Sequence, residues 1–381
     1  MESLLNEEQI AIRNMARDFS NKELVPNAST WDKNQNIPNK VIKNMGELGF
    51  LGVQVPEKWG GSGLGNIDLS LIIEEIAAGE GGISTLVAVQ NSVVCMPINN
   101  YGSDSQKQKY LKKLATGELI GAFMLTESHT GSDASAIKTQ ATKIGNKYVL
   151  NGSKSFISNG NKAGIAITFA ITDSNAGSKG ISAFIVPTNS PGFSVDRVEK
   201  KLGQRSSDTC SISLSNVEVT PDLLLGEEGE GYKIALSNLE GGRIGVAAQA
   251  VGMARSAYEH SLSYARQRET FNKKLIDHQA ILFKLADMKT QISVARQMYL
   301  HAADLRDKGK KCIEEASMAK LFASEMAEKV CSESIQIHGG NGYLQDFPVE
   351  RIYRDVRVTQ IYEGASEIQK LVISREILAG S

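Results

Sequence analysis

The sequence has few cysteines and histidines, and neither type falls in a metal-binding or redox motif. The four cysteines, Cys95, Cys210, Cys312 and Cys331, form no CxxC pair, and the five histidines include no HExxH pair. We therefore expect no disulfide framework, thiolate metal centre or bound metal. A chain without disulfides suits a reducing compartment, so the predicted location is the cytoplasm, or the mitochondrial matrix if the chain is a processed one.

The sequence also has no excess of charge of either sign and no long apolar run. Its 42 Lys and Arg residues balance 43 Asp and Glu residues, and the net charge is -1. This balance gives no reason to expect a nucleic-acid partner or a membrane bound by charge. No apolar run approaches the length of a membrane span, and Glu2, Glu7 and Glu8 do not fit the start of a signal peptide. We therefore expect no membrane insertion.

What the sequence does contain divides its 381 residues into three parts. Residues 1–120 have helical periodicity, beginning with a helix capped by Asn6. Residues 121–230 contain short β runs, two of them placed around an Asn151-Gly152 hairpin signal. Residues 231–381 carry three long helical stripes and a further helix from Ser366, which predicts a four-helix bundle. The predicted fold is mainly α with a middle β domain, a small barrel or sandwich.

Two glycine-rich segments do not qualify as nucleotide-binding motifs. The segment at 59–65 lacks a third glycine at the required spacing and follows no clear strand, so we predict a turn before a helix at about 67–79. The segment at 226–231 is acidic and would repel phosphate, so we interpret it as a domain junction. Because strands and helices do not alternate, a parallel nucleotide-binding sheet is not expected.

The stretch at 359–369 places a carboxylate, Glu363, beside Gly364 in a turn. Ser366 and Gln369 have the spacing of a capping box, which predicts a helix starting at Ser366. Apolar neighbours would desolvate Glu363 and raise its pKa, as a general base requires. Those neighbours are Ile361, Tyr362 and Ala365. The alternative is a solvated turn glutamate.

Three further segments have both a binding and a structural interpretation. The segment at 123–133 is rich in hydroxyls and backbone donors, which suits a polar heterocycle or pyrophosphate, or it is an ordinary turn. Arg268, between two bundle helices, either pairs with a phosphate or stays solvated. Gly339 and Gly340 either end a helix or leave bare backbone that a phosphate or ribose can approach.

In their order and spacing, these segments resemble the acyl-CoA dehydrogenase family from end to end. The matching segments are 123–127 (FMLTE), 131–133 (GSD), 151–159 (NGSKSFISN), 242–245 (GRIG), 268–271 (RETF), 336–340 (QIHGG) and 361–364 (IYEG). The resemblance implies an N-terminal helical domain (1–120), a middle β-barrel domain (121–230) and a C-terminal four-helix bundle (231–381). It also implies a homotetramer.

The resemblance further implies FAD, bound between the middle and C-terminal domains. The residues expected around the flavin ring are Phe123, Leu125, Thr126, Ser132, Phe156, Ile157 and Ser158. Those expected at the pyrophosphate and adenine of a neighbouring subunit's FAD are Arg268, Phe271, Gln279, Gln336, Ile337, Gly339 and Gly340. Ala365, Ser366 and Glu367 are expected to contact FAD as well, and the expected substrate contacts are Ser132, Glu240, Arg243 and Gly364.

The implied reaction is the α,β-dehydrogenation of an acyl-CoA thioester. Glu363 would take the α-proton while the β-hydrogen leaves as hydride to FAD, giving a trans-2-enoyl-CoA, and electrons would pass to an electron-transfer flavoprotein. Some members of the family place the base on the first bundle helix, but Gly242 occupies that position here. The expected substrate is a simple short- to medium-chain acyl group.

The chain also departs from the family pattern at several positions. Phe156 replaces a tryptophan often found over the flavin, Ala365 a common threonine and Asn272 a common glycine. Ser128-His129 stands where proline and a small residue are frequent. The alternatives to a dehydrogenase are an acyl-CoA oxidase that uses oxygen, and a non-catalytic member that binds nucleic acid.

Overall fold

A computed structural model describes residues 5–380, and its N-terminal part is helical. The first helix begins at Glu7, where the side chain of Asn6 accepts a hydrogen bond from the backbone N–H of Gln9, as predicted. The helix that follows the glycine-rich turn at 59–65 begins at Asn66, which confirms the prediction of a structural turn. The helices of this part are α1 (Glu7–Phe19), α2 (Ala28–Asn34), α3 (Asn39–Glu47), α4 (Asn66–Gly79), α5 (Gly81–Val89), α6 (Met96–Tyr101) and α7 (Asp104–Ala115).

A π-helical segment, Gln90–Cys95, joins α5 to α6 in one continuous apolar helix. This 21-residue helix, Gly81–Tyr101, has a mean hydropathy of 1.3 over its most apolar window and is long enough to span a membrane. The expectation that no apolar run reaches such a length is therefore wrong. Because 89% of that window is buried inside the protein, its apolar surface is already covered by other elements.

The middle part is an eight-stranded sheet. Its strands are β1 (Gly121–Met124), β2 (Gln140–Ile144), β3 (Lys147–Ser158), β4 (Ile165–Ile171), β5 (Ile181–Pro187), β6 (Phe193–Val198), β7 (Thr209–Val219) and β8 (Leu224–Leu225). They follow the order β6-β7-β3-β2-β4-β5-β8, and β1 lies parallel to β4. No pairing between β6 and β8 closes this path among residues 5–380, so a closed barrel is not established.

The predicted hairpin at Asn151-Gly152 is wrong, because β3 runs straight through both residues. The strand pairs with β2 on one side and with β7 on the other. Pairing on both sides outweighs the local turn preference, and a register shift at Leu150/Gly152 takes up the irregularity. A second shift, at Lys154/Ile157, lies where Phe156 has a φ of +59°. This irregularity turns the end of β3 toward the cavity described below.

The C-terminal part is a bundle of long helices, as predicted. They are α8 (Gly231–Gln267), α9 (Gln279–Asp307), α10 (Ile313–His338) and α12 (Ser366–Ala379), with the short α11 (Val349–Val356) between the last two. A small hairpin of β9 (Glu269–Thr270) and β10 (Lys273–Lys274) connects α8 to α9. The predicted fold class, helical at both ends with a β domain between, is confirmed.

Charged side chains tie the two helical parts together inside the core. Glu74 of α4 is 1% exposed, and its carboxylate accepts hydrogen bonds from Arg255 Nε at 3.0 Å, Arg296 Nε at 2.8 Å and the Tyr299 hydroxyl at 2.5 Å. The neighbouring Glu75 accepts from Arg255 Nη2 at 2.6 Å. These contacts fix α4 and α9 against α8, which forms one wall of the cavity described below.

Candidate active site

A cavity of about 1340 Å³ lies where the three parts of the chain meet. Its walls are the α5 helix with the π-helical segment, the loop after β1, the end of β3, the first half of α8 and the turn before α12. Small-molecule sites are commonly about 300–1,000 Å³. This cavity is therefore large enough for a cofactor and a substrate side by side.

Glu363 lies at this cavity in a turn of left-handed backbone, with a φ of +53° at Glu363 and +90° at Gly364. Its Oε2 is buried without a hydrogen-bond partner in the described part of the chain. Burial raises the pKa of the Glu363 carboxyl to about 7, and the positive charges of Arg243 and Lys320 oppose this rise. These features contradict the alternative of a solvated turn glutamate.

One of the three groups expected to desolvate Glu363 does not do so, and a group that was not expected does. Ile361 is 57% exposed, so its side chain cannot shield the carboxylate, and that expectation is wrong. Desolvation comes instead from the close approach of α8. A Cβ atom on Gly242 would lie 2.7 Å from Oε2 and 3.0 Å from Cδ of Glu363. The absence of a side chain at Gly242 therefore provides the space that the carboxylate occupies.

The predicted capping box at Ser366 is not formed, although a helix does begin there. Ala365 is the N-cap residue, and the Ser366 Oγ is buried without a partner among residues 5–380. Gln369 turns back instead, and its Nε2 donates to the carbonyls of Glu363 at 3.1 Å and Gly364 at 2.8 Å. The Gln369 side chain therefore donates to the carbonyls of the left-handed turn, and its Oε1 accepts no hydrogen bond from the backbone N–H of Ser366 as a capping box requires.

Residues predicted to surround a flavin ring come together on one side of the cavity. Those that line it are Phe123, Leu125, Thr126, Ser132, Phe156, Ile157 and Ser158. Phe156 is 67% exposed, so its ring lies uncovered at the cavity wall. The resemblance therefore predicted correctly that these residues lie together in the fold.

A buried ion pair behind this wall was missed. Lys154 is completely buried, and its Nζ donates to the Leu125 carbonyl at 3.1 Å and to Glu127 Oε1 at 2.9 Å. Glu127 also accepts from the backbone N–H groups of Lys138 at 2.7 Å and Thr139 at 3.0 Å. The pair thus fixes the loop after β1. A lysine between two serines on a strand gives no sequence signal for such burial.

The four residues predicted to contact substrate also line the cavity: Ser132, Glu240, Arg243 and Gly364. Glu240 forms a salt bridge of 2.8 Å with Arg306 Nη1. Arg243 is largely buried, its Nη1 donates to Ser317 Oγ at 3.2 Å, and its Nε has no partner in the described part of the chain. The side of the cavity formed by α8 therefore presents one neutralised carboxylate and one incompletely bonded guanidinium.

A buried polar network, which the sequence did not predict, includes Tyr362, the residue that precedes Glu363. Gln249 Nε2 donates to Thr85 Oγ1 at 2.7 Å, and Thr85 Oγ1 donates to Gln204 Oε1 at 2.6 Å. The Tyr362 hydroxyl donates to Gln249 Oε1 and accepts from Gln204 Nε2 at 3.3 Å. Its members come from four distant segments, so no local pattern predicts the network. Thr85, Gln249 and Tyr362 line the cavity.

The residues predicted for a neighbouring subunit's FAD lie elsewhere, and none of them lines the cavity. The exposed ones are Arg268, Phe271, Gln279, Gln336, Gly339 and Gly340, whereas the Ile337 side chain packs in the core. A Cβ atom on Gly339 or Gly340 would meet no heavy atom within 4 Å beyond the chain neighbours. This set therefore forms a separate, open surface. Ala365, Ser366 and Glu367 adjoin the cavity without lining it.

No group of three or more His, Cys, Asp or Glu side chains is placed to hold a metal within residues 5–380. All four thiols are buried, and burial raises their pKa, to about 12 for Cys210 and about 11 for Cys312. The raised pKa disfavours the thiolate, and none of the four cysteines lines the cavity.

Comparison with known proteins accounts for all three parts of the chain. Residues 6–118, 122–217 and 229–378 match the N-terminal, middle and C-terminal domains of acyl-CoA dehydrogenase. The chain belongs to the acyl-CoA dehydrogenase family. It is 48% identical over 377 residues to an acyl-CoA dehydrogenase of Bacillus subtilis (strain 168), covering 99% of this chain and 100% of that one. It is 43% identical over 367 residues to the mitochondrial short-chain specific acyl-CoA dehydrogenase of Rattus norvegicus, covering 96% and 89%.

Solved structures of acyl-CoA dehydrogenases have the same fold. The butyryl-CoA dehydrogenase of Megasphaera elsdenii superposes with a TM-score of 0.96 at 41% identity, over 98% of this chain and 99% of that one. A chain in the structural work on the electron transferring flavoprotein of Acidaminococcus fermentans superposes with a TM-score of 0.97 at 44% identity, over 98% of both chains. The protein is therefore an oxidoreductase acting on acyl-CoA.

Acyl-CoA dehydrogenases use FAD, and the cavity suits this cofactor. The wall formed by the loop after β1 and the end of β3 offers an uncovered aromatic ring at Phe156 and hydroxyls at Thr126, Ser132 and Ser158. The residues present therefore fit FAD.

Proposed function

We propose that this acyl-CoA dehydrogenase converts short-chain acyl-CoA thioesters to trans-2-enoyl-CoA, with Glu363 as the base that takes the α-proton. The observation that carries this proposal is the placement of Glu363 Oε2, which is buried and unpartnered among residues 5–380 and belongs to a side chain at the wall of the cavity. Burial without a hydrogen-bond partner destabilises the ionised form of a carboxylate. The carboxylate then binds a proton more strongly, which a general base requires.

The protonation equilibrium of Glu363 suits proton abstraction near neutral pH. A general base works best when its pKa lies near the working pH, and the pKa of this carboxyl is about 7. Arg243, which lines the cavity, keeps a useful fraction of the carboxylate ionised despite its burial. As the α-proton leaves, negative charge develops on the thioester oxygen, and the backbone N–H of Glu363 would stabilise it.

The chain's own residues would hold the substrate between Glu363 and the wall formed by the loop after β1 and the end of β3. FAD, when bound, supplies the acceptor for the hydride that leaves the β-carbon. The loop after β1 would orient the flavin ring, because Glu127 and Lys154 hold this loop from behind. Closure of the cavity by α8 and the turn before α12 would exclude water from the reacting carbons.

The preference for short chains rests on the network of Thr85, Gln204, Gln249 and Tyr362. All four side chains are joined by hydrogen bonds, and Thr85, Gln249 and Tyr362 line the cavity, so an acyl tail that extended past them would have to displace buried hydrogen bonds. The similarity to butyryl-CoA dehydrogenase and to a short-chain specific relative supports the same proposal.

The assembly and the electron acceptor are further parts of the proposal. Six residues predicted for a neighbour's FAD are exposed and stand apart from the cavity, which is the arrangement expected if a second subunit's cofactor binds there. Phe271 is 91% exposed, as expected of a side chain covered on assembly, and we propose a homotetramer. The similarity to a chain studied with an electron transferring flavoprotein supports such a protein as acceptor. The cytoplasmic or matrix location stays a prediction.

Anaerobic stopped-flow spectroscopy of the FAD-loaded enzyme tests this function. Butyryl-CoA should bleach the flavin faster than octanoyl-CoA, and E363Q should slow bleaching by about 100-fold or more, the usual contribution of a general base. Bleaching of E363Q at the parent rate would remove Glu363 as the base. Fast reoxidation by air with product bound would favour an acyl-CoA oxidase instead.

A further inference from the structure

Lys320, in the first half of α10, is a buried cation that does not line the cavity and that the reaction described above does not use. Its side chain is fully buried, and its Nζ donates a hydrogen bond of 2.8 Å to the carbonyl of Gly364. No carboxylate oxygen lies within 4.0 Å of this ammonium among residues 5–380. Burial of an ammonium is costly, and a salt bridge that would offset the cost is missing here. The position of Lys320 behind the turn that carries Glu363 therefore needs another explanation.

The turn that Lys320 contacts has an unfavourable backbone and must be held. Glu363 and Gly364 are consecutive residues with positive φ, and Glu363 is not a glycine. The Gly364 carbonyl accepts one hydrogen bond from Gln369 Nε2 and one from Lys320 Nζ, each of 2.8 Å. Lys320 thus supplies a bond from α10, across the bundle, to the residue next to the base.

The charges around Lys320 link it to Glu363. The groups that act on Lys320 are Glu363 from the turn, Arg243 from α8, Glu367 from α12 and Glu325 from its own helix. Those that act on Glu363 are Arg243 and Lys320. Burial lowers the pKa of the Lys320 ammonium to about 8, and the charge of Glu363 opposes this fall. At neutral pH most of the Lys320 side chains therefore carry a positive charge.

We propose that Lys320 is a positioning residue for proton abstraction: its buried ammonium holds the Gly364 carbonyl, aims Glu363 into the cavity and stabilises the ionised carboxylate. The inference rests on the proposed role of Glu363 as the base. Lys320 touches neither the cavity nor the reacting atoms, and it acts through the turn. Arg243 alone would then have to offset the burial of the carboxylate if Lys320 were neutral or absent.

The sign of the effect follows from these charges. Loss of the Lys320 charge destabilises the ionised carboxylate and raises the pKa of Glu363. The acid limb of the pH profile of flavin bleaching should then move to higher pH by about one unit, the size of effect that one nearby charge commonly has. Well below the pKa, bleaching should be about tenfold slower than in the parent at the same pH.

The test uses the FAD-loaded enzyme with K320M and K320Q. K320M removes both the charge and the donor, whereas K320Q keeps a donor without the charge and serves if K320M does not fold. K329M is the matched control, because Lys329 lies exposed on the same helix. The first measurement is the rate of anaerobic bleaching by butyryl-CoA as a function of pH. The second is a pH titration of the Glu363 carboxyl by infrared difference spectroscopy, with E363Q identifying its band.

An acid limb and a carboxyl band that both move to higher pH in the Lys320 variant, and not in K329M, would support the inference. An equal loss of rate at every pH, with the carboxyl titrating as in the parent, would overturn it, because Lys320 would then only stabilise the fold. The infrared titration needs no turnover. If the parent did not bleach with acyl-CoA, the proposed function would fail while the titration still decided the role of Lys320.

Discussion

Gly242 and Glu363 are complementary in shape: a Cβ atom on Gly242 would lie 2.7 Å from the Glu363 Oε2. The two residues are far apart in the sequence and belong to different elements, α8 and the turn before α12. The carboxylate therefore occupies space that any side chain on α8 at this position would take.

The first prediction is that G242A impairs the reaction without unfolding the protein. The new methyl group must push the carboxylate out of its position, and misplacement of a reacting group by about 1 Å can cost about 100-fold. We expect the rate of flavin bleaching to fall by about tenfold to 100-fold. G241A is the control, since its Cβ would meet the Arg306 side chain at an ordinary 3.5 Å. Equal rates in G242A and the parent would contradict the close approach.

The second prediction concerns stability and pH. The folded protein holds a proton on Glu363 up to about pH 7, whereas the unfolded chain releases it near pH 4.5. Between these values the folded state binds more protons, so this group makes stability fall as pH rises. E363Q should therefore be more stable than the parent at pH 8, by about 1–3 kcal/mol. Urea unfolding at pH 5 and pH 8 measures this, and the gain should be smaller at pH 5. A gain of the same size at both would refute the assignment.

The third prediction concerns the buried charges on α4. E74Q leaves Arg296 without the carboxylate that it binds and leaves Arg255 with Glu75 and Glu259. Breaking a buried ion pair by removing one partner costs about 3 kcal/mol or more. We expect a corresponding fall in the free energy of unfolding. E118Q, which removes a charge from an exposed salt bridge to Lys113, should change stability by less than about 1 kcal/mol.

The fourth prediction concerns chain length. Q249A removes a side chain that lines the cavity and bonds Thr85 and Tyr362. The space released should raise kcat/KM for hexanoyl-CoA relative to butyryl-CoA by about tenfold, the scale of discrimination that a methylene or two provides. Q90A is the control, because Gln90 is a buried glutamine that does not line the cavity. An unchanged ratio in Q249A would show that the network does not limit the substrate.

The sequence predicted the fold class through the periodicity of its helices and strands, and the resemblance of its motifs to a known family predicted which residues line one side of the cavity. The periodicity of the helices and the motifs at 123–133, 156–158 and 361–364 sufficed. Predictions failed where a distant contact overrode a local preference. Pairing with the neighbouring strands keeps Asn151 and Gly152 in an extended strand instead of a hairpin turn. The Gln369 side chain donates to the carbonyls of the left-handed turn instead of completing a helix cap.

The residues that sequence reasoning missed share another property, which is that their function depends on three-dimensional neighbours alone. Lys154 and Lys320 are lysines within ordinary strand and helix patterns, and only burial beside a carbonyl or carboxylate distinguishes them. The network around Gln249 joins residues about 110 to 165 positions apart. No spacing rule relates such residues.

The length of α8, which runs unbroken for 37 residues, has a consequence for how the substrate preference of this enzyme can change. Gly242 and Gln249 are seven residues apart on that helix, so they share a face and lie about 10 Å apart along its axis. The same helix therefore provides both the space next to Glu363 and a residue of the polar network that lines the cavity. Sliding or turning α8 to admit a longer tail would disturb the base as well. We therefore expect a change in chain-length preference to come from exchanged side chains along α8 and not from a movement of the helix.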